Sequence, residues 1–326
     1  MLILTAKDIE KFYTMKDAVA ADKQALKIYT EGNSDVPLRI NFDMQKGQCL
    51  FMPAHIKDQD IVGIKIVSVF PDNSKLGKPS VPAQVLMLDP KTGEVCALLD
   101  GTFVTQLRTG AVQGAATDLL ARKDARRAVL IGTGGQAISQ LEAMLTVRPL
   151  TDVAIFDIDI QKAKRFTDEV KCRFSHYSTH FYFSQDLDED ISQADIITSI
   201  TTSKVVTFNG DKVKPGTHIN GVGAYTPQMH EIPQSIVEKA DIRVLDTKEG
   251  VFAEAGDIID PIKQNLVSED DFLELGDLVI DPTQCRQNEE QITLFKTVGT
   301  AVLDVYIGYD IYLKAKEKGI GIGLDL

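Results

Sequence analysis

A short apolar run, Ala128-Val129-Leu130-Ile131, breaks into Gly132-Thr133-Gly134-Gly135-Gln136-Ala137 and then into a helical apolar period over about residues 136–147. Strand, glycine turn and helix in that order constrain the fold more than any other stretch, because each small residue has a steric task. Gly132 permits the tight turn, Gly134 lets a bound group approach the backbone, and Ala137 lets the helix pack against the strand with its N-terminus toward an anion. A second apolar strand, VAIFD, ends in Asp157, 25 positions beyond Gly132. A carboxylate there accepts hydrogen bonds from ribose hydroxyls and repels a 2′-phosphate; Asp159 adds negative charge nearby. The pattern predicts a Rossmann-type α/β unit that binds NAD in preference to NADP.

Strand-like and helical segments continue to alternate through AKRFTDEV, HFYF, ADIITSI and THINGVG, as a parallel sheet covered by helices requires. The texture upstream is different. Thr5 before Lys7, Asp8 and Ile9 reads as a cap, and Phe12, Met15, Ala18, Val19 and Ala25 continue one helical stripe. Short β-rich runs follow, CLFMPAHI, IVGIKIVSVF, AQVLMLD and EVCALLD, with a hairpin expected around Asp89-Pro90-Lys91-Thr92-Gly93. Helical period returns in VTQLRTGAVQGAATDLLARK, and a long helix after ITLFKTVG is expected to return to the first domain. The expected architecture is α/β with two domains: residues 1–117 with 300–326, and residues 118–299. The acidic run 186–190 reads as a solvated turn.

Composition narrows the function classes. With 326 residues, 44% of them hydrophobic, the chain can bury two cores. Its 35 basic against 47 acidic residues give a net charge of −12 with no basic stripe, which excludes a phosphate backbone as partner. Four scattered cysteines form no C-x-x-C pair, which suits a reducing compartment. Neither a signal-peptide pattern nor a run of 18 apolar residues is present, so a cytoplasmic, non-membrane protein is expected. Five histidines lack metal-ligand spacing, and no metal is predicted. His218, inside the apolar THINGVG, reads as a satisfied core histidine.

Two cations sit in apolar surroundings. Lys65 lies within IVGIKIVSV, where it either faces solvent by alternation or is buried; burial is costly for an ammonium unless it is paired or deprotonated, and makes it an acid/base candidate. Arg108 lies in the small, apolar VTQLRTGAVQGAA.

Several blocks in order make the chain resemble the ornithine cyclodeaminase/mu-crystallin family, which includes cyclodeaminases, an archaeal-type alanine dehydrogenase and cyclic imino acid reductases. These are Arg39 in PLRINF, Met52-Pro53, Lys65 in VGIKIVSVFPDN, GKPSVPAQVLMLDPKTGE, LLDGTFVTQLRTGA, IGTGGQ, KPGTHINGVGAYTP and ITLFKTVG. The resemblance implies a homodimer whose N-terminal α/β domain, completed by the C-terminal helix, binds substrate and forms the interface, with nucleotide and substrate meeting at the domain cleft. It implies that Arg39 and Arg108 hold a substrate carboxylate, which a guanidinium fork does bidentately. Lys65 would exchange a proton with the amine or imine beside the substrate Cα. Nucleotide contacts are implied for Ser80, Arg108, Thr109, Gly135, Gln136, Thr201, Val222, Gly223 and Thr297.

Cyclodeaminases of the family carry an aspartate in the loop where this chain has Tyr225, and a phenol with a reference pKa of about 10 is a poor base near neutrality. Reduction of a preformed ketimine requires only a carboxylate clamp, a proton donor and a hydride. The expected activity is therefore NAD(H)-dependent reduction of a cyclic imino acid such as Δ1-pyrroline-2-carboxylate to L-proline, with Tyr225 at the substrate. The alternatives are an ornithine cyclodeaminase using another base such as His230 or Glu231, an alanine-type dehydrogenase, and a non-catalytic nucleotide- and ligand-binding protein of mu-crystallin type.

Overall fold

A computed structural model describes residues 1–325. The chain forms two units, one of Met1–Ala111 together with the chain from Gly299 onward, the other of Val112–Val298. The division falls inside the helix Gly101–Leu120.

The first unit is built on a mixed sheet of β1 (Leu2–Leu4), β2 (Ser34–Asp35), β3 (Ile40–Met44), β4 (Gly47–Ile56), β5 (Ile61–Val69), β6 (Ala83–Leu88), β7 (Val95–Asp100) and the late strand Ile322–Gly323. β4 to β7 form an antiparallel meander, and β1 adds parallel to β7. The alternation of β5 buries Ile61, Gly63, Lys65 and Val67 on one face. The helix Ala301–Lys318 packs on β4, β5 and β6 and against the helix Met15–Thr30. Gly308 permits this approach, since a Cβ there would lie 3.2 Å from Met87 Sδ and Val85 Cγ1. The buried face of this helix, with Val302, Leu303, Val305, Ile307 and Ile311, stabilises the layer by about 1.5–3 kcal/mol for each large aliphatic side chain withdrawn from water.

The single opening helix expected from the sequence is two helices, Ala6–Ile9 and Met15–Thr30. A second capping box causes the break: Thr14 Oγ1 accepts from Asp17 N at 3.2 Å while Asp17 Oδ2 accepts from Thr14 N at 3.0 Å. Between them Tyr13 is buried and donates to Asp310 at 2.6 Å, tying the turn to the C-terminal helix.

The second unit is a wholly parallel sheet of β8 (Arg127–Ile131), β9 (Asp152–Phe156), β10 (His180–Phe183), β11 (Ile196–Ser199), β12 (His218–Gly221), β13 (Ile242–Leu245), β14 (Phe272–Glu274) and β15 (Thr293–Lys296). The spatial order β10-β9-β8-β11-β12-β15-β13-β14 reverses direction between β8 and β11, the switch point where an open α/β sheet receives a ligand. The acidic run is not a solvated turn. Asp186 caps the helix Leu187–Gln193, and Asp190 accepts from Tyr182 Oη at 2.8 Å and from Ser184. His218 is fully buried between Thr293 Oγ1 and Asn220 Oδ1, each at 2.9 Å, and burial pushes its imidazole down to about 3. It is a neutral core histidine. Among the described residues, no helix is long and apolar enough to cross a membrane.

Candidate active site

The first unit gathers its cations around one carboxylate. Lys65 projects from the middle of β5, paired across the sheet with Met52 and Val85, and is 1% exposed. Its Nζ lies 2.5 Å from Oδ2 of Asp304, a fully buried residue in the first turn of the helix Ala301–Lys318. The other oxygen, Oδ1, accepts from Arg108 Nε at 3.0 Å. Arg108 lies against the backbone at Gly299, where a Cβ would come within 2.5 Å of Nη1; Gly299 also has φ +79°, so both space and conformation require glycine there. Arg39 joins the group by donating from Nη2 to Gly299 O at 3.3 Å.

The balance of forces on Lys65 can be read from these contacts. Burial lowers its proton affinity, the Arg108 charge lowers it further, and Asp304 opposes both. The sum brings Lys65 down to about 7 from an ordinary 10.5. A group with that value exchanges protons readily near neutral pH. Asp22, on the helix Met15–Thr30, is fully buried with neither carboxylate oxygen hydrogen bonded. Burial holds this carboxyl well above the usual range; Arg108 works against that and Asp304 adds to it.

Two other residues of the first unit are placed less centrally. Ser80 accepts from Phe70 N through its backbone carbonyl at 2.8 Å. Thr109 turns its hydroxyl onto its own helix, donating to Thr105 O at 2.6 Å.

In the second unit the glycine turn follows β8 as expected. Gly132 has φ +101°, and a Cβ there would lie 2.4 Å from Ile200 O, so the fold itself demands this glycine. Gly134 and Gly135 differ: they are exposed, and a Cβ on either would meet nothing within 4 Å. Their bareness serves no internal packing and leaves a cradle at the N-terminus of the helix Ala137–Val147, the fit that a pyrophosphate needs. Gln136 immediately precedes this helix. Asp157 closes the turn from the far side, accepting from Thr133 N at 3.0 Å and Thr133 Oγ1 at 2.6 Å, while Asp159 N donates to its other oxygen at 2.9 Å. Asp159 itself caps the helix Ile160–Arg173.

The turns after β11 and β12 complete this end of the sheet. Gly223 lies so close to Thr201 that a Cβ would fall 2.1 Å from its carbonyl oxygen. Val222 N donates to Ser199 O at 2.9 Å, and the Thr201 hydroxyl accepts from Ser203 N. Thr297 donates to the buried Asp246 at 2.5 Å. Tyr225 is half-buried and packs against the core. The two alternative bases of that loop are otherwise engaged: His230 Nε2 lies 2.9 Å from Asp260 Oδ2, and Glu231 is completely buried, each of its oxygens accepting two hydrogen bonds.

Sequence reasoning offered Glu231 only as a possible base and missed Asp304, Asp22, Asp257 and Lys296. The last two form a buried ion pair at 3.3 Å beneath the turns. An aspartate followed by apolar residues in VLDVYIG was the one available signal for Asp304, since it lies on the stripe that the helix must bury.

A parallel nucleotide-type sheet and a mixed-sheet unit holding a buried lysine–aspartate–arginine group define an α/β oxidoreductase architecture. The chain belongs to the ornithine cyclodeaminase/mu-crystallin family, whose model matches residues 1–319. It is 35% identical over 324 residues, 98% of each chain, to a Δ1-pyrroline-2-carboxylate reductase of Bacillus thuringiensis subsp. konkukian. Among solved structures it is similar to the Thermococcus litoralis Δ1-pyrroline-2-carboxylate reductase in complex with NADH and L-proline, with TM-score 0.93, 37% identity, and 99% of this chain and 100% of that one covered. An archaeal alanine dehydrogenase dimer with bound NAD gives TM-score 0.89 and 31% identity, covering 100% of this chain and 99% of that one.

Proposed function

We propose that this protein is an NADH-dependent reductase of a cyclic ketimine carboxylate, of the Δ1-pyrroline-2-carboxylate type, forming the corresponding cyclic amino acid. The observation that carries the reading is Lys65, a buried ammonium brought down to about 7 and held 2.5 Å from Asp304 beside Arg108. The guanidinium groups of Arg39 and Arg108 hold the substrate carboxylate. Lys65 gives its proton to the imine nitrogen as the C=N bond becomes CH–NH, and Asp304 keeps the ammonium aligned until the proton leaves. NADH, when bound, supplies the hydride that reaches the imine carbon. The cradle at Gly134 and Gly135 suits the pyrophosphate, Asp157 the adenosine ribose, and Ser80, Thr109, Gln136, Thr201, Val222, Gly223 and Thr297 the remainder of the nucleotide. The negative charge of Asp157 disfavours a 2′-phosphate and so NADPH.

Cyclodeamination needs a base for the attacking distal amine. Tyr225 replaces the carboxylate expected for it, while Glu231 has both oxygens occupied inside the fold. Similarity over nearly the whole chain to reductases acting on a preformed imine supports the simpler reaction. The test is loss of NADH absorbance with Δ1-pyrroline-2-carboxylate and its six-membered homologue, with NADPH in parallel. Stoichiometric, NADH-preferring turnover is expected; ammonia release from ornithine with NAD recycled would overturn the assignment.

We also propose a homodimer through the first unit. On β3, Ile40, Phe42 and Met44 alternate along one face and are 55%, 59% and 56% exposed, an apolar row that a second copy would cover. Phe42 is braced edge-on by Phe51 at 5.8 Å. Sedimentation equilibrium is expected to give twice the 35.8 kDa chain mass, and Phe42→Asp to give the single mass; a wild-type monomer sinks the proposal.

A further inference from the structure

We propose that Glu231 is the positioning residue that shapes the nucleotide-receiving turns, a role distinct from the base that its sequence position suggests; the inference rests on the NADH reading above. Its Oε1 accepts from Ser199 Oγ at 2.8 Å and from Thr201 N at 2.6 Å, both at the carboxyl end of β11. Its Oε2 accepts from Gly223 N at 2.6 Å and Ala224 N at 2.8 Å, just after β12. One carboxylate thus binds the hydroxyl of the last β11 residue and three backbone N–H groups that lie beyond the last paired residues of β11 and β12, Ser199 and Gly221.

Those turns bear directly on the glycine loop. Gly132 leaves no room for a Cβ beside Ile200 O, and Gly223 leaves none beside Thr201 N and O. Displacing either turn therefore displaces the surface that receives the nucleotide. Glu231 is itself held from below. Asp257 Oδ1 accepts from Glu231 N at 2.7 Å and Ile232 N at 2.9 Å, Asp257 Oδ2 pairs with the buried Lys296, and Lys296 Nζ donates to Gly221 O at 3.2 Å. The chain of contacts returns to the end of β12, so the clamp is closed on itself. Four short contacts from backbone and hydroxyl donors match the two acceptor oxygens of a carboxylate; an amide has one acceptor oxygen and would turn its own N–H groups toward the other two donors.

The experiment compares NADH affinity with thermal stability in wild type, Glu231→Gln and Asp195→Asn. Asp195 lies at the opposite, amino-terminal end of the same sheet, where it accepts from Arg126 N at 2.8 Å and Arg127 N at 3.0 Å. Both variants are expected to lose Tm. Only Glu231→Gln is expected to weaken NADH binding, followed by nucleotide fluorescence, by about tenfold or more, as loss of charge-assisted hydrogen bonds implies. Glu231→Asp, which keeps the charge one methylene short, should fall between wild type and Glu231→Gln, and serves in its place if Glu231→Gln does not fold. Wild-type NADH affinity in Glu231→Gln or Glu231→Asp, or equal weakening in Asp195→Asn, overturns the positioning role. Failure of wild type itself to bind NADH overturns the cofactor reading instead.

Discussion

Lys65→Met lowers kcat/KM for imine reduction by about 10²–10⁴, the range that a positioned general acid contributes, and leaves NADH affinity at the wild-type value. The pH dependence carries the sharper signature. Reduction needs Lys65 protonated, so wild-type kcat/KM falls as pH rises through about 7; oxidation of the amino acid needs it neutral and rises through the same value. Burial and Arg108 together outweigh Asp304, which is why this limb stands near 7 and not near the ordinary lysine value of 10.5. In Lys65→Met the limb disappears and the residual rate is flat across it. The methionine fills most of the lysine's volume, and Asp304 keeps Arg108 as a partner at 3.0 Å, so Tm should move little. A persistent limb at pH 7 in the variant assigns the titration to another group and removes Lys65 from the chemistry.

How much of this was legible in the sequence depends on the range over which each residue's task is written. The glycine turn and Asp157 are joined within one strand–helix–strand unit, and their steric and hydrogen-bonding duties follow from local order; the structure places Thr133 of that turn on the Asp157 carboxylate. Lys65 stood out because an ammonium breaks an apolar run, yet alternation alone left its face open. Its sharing of a face with Ile61, Gly63 and Val67 decides that. Asp304 was legible only as an aspartate on the stripe its helix buries, and its role was not, since its partner lies 239 positions away and an aspartate in a helix usually faces water. Glu231 was visible only as a carboxylate near the right loop, and so as a possible base; its burial and four donors are tertiary facts. The opening helix failed for a local reason. The stripe through Phe12 and Met15 has helical spacing, but Thr14 and Asp17 form a cap that starts a new helix within it.

Asp304→Asn removes the carboxylate bonded to two buried cations, Lys65 and Arg108, and its effect on stability should exceed that of losing Lys65. Breaking a buried ion pair by deleting one partner costs about 3–5 kcal/mol, because an uncompensated charge stays in a low-dielectric interior; here Lys65 and Arg108 would both be left facing an amide. The protein has one escape, which is to discharge Lys65. Asp304 raises the lysine's proton affinity, so its removal moves the value below 7 and the pH limb of imine reduction with it. The linkage has a definite sign. A lysine near 7 when folded and near 10.5 when unfolded binds more protons in the unfolded state between those values, so stability rises with pH there, by at most about 1.4 kcal/mol per pH unit. In Asp304→Asn that window opens at lower pH, and the variant's deficit relative to wild type is therefore larger near pH 6 than near pH 9. The Lys65→Met/Asp304→Asn double variant has already lost the charge that must be discharged, and denaturant melts should show it more stable than Asp304→Asn alone, with the pH slope between 7 and 10 abolished. If Lys65→Met changes stability by the same amount in wild type as in Asp304→Asn at every pH, Lys65 and Asp304, 2.5 Å apart, are not energetically coupled.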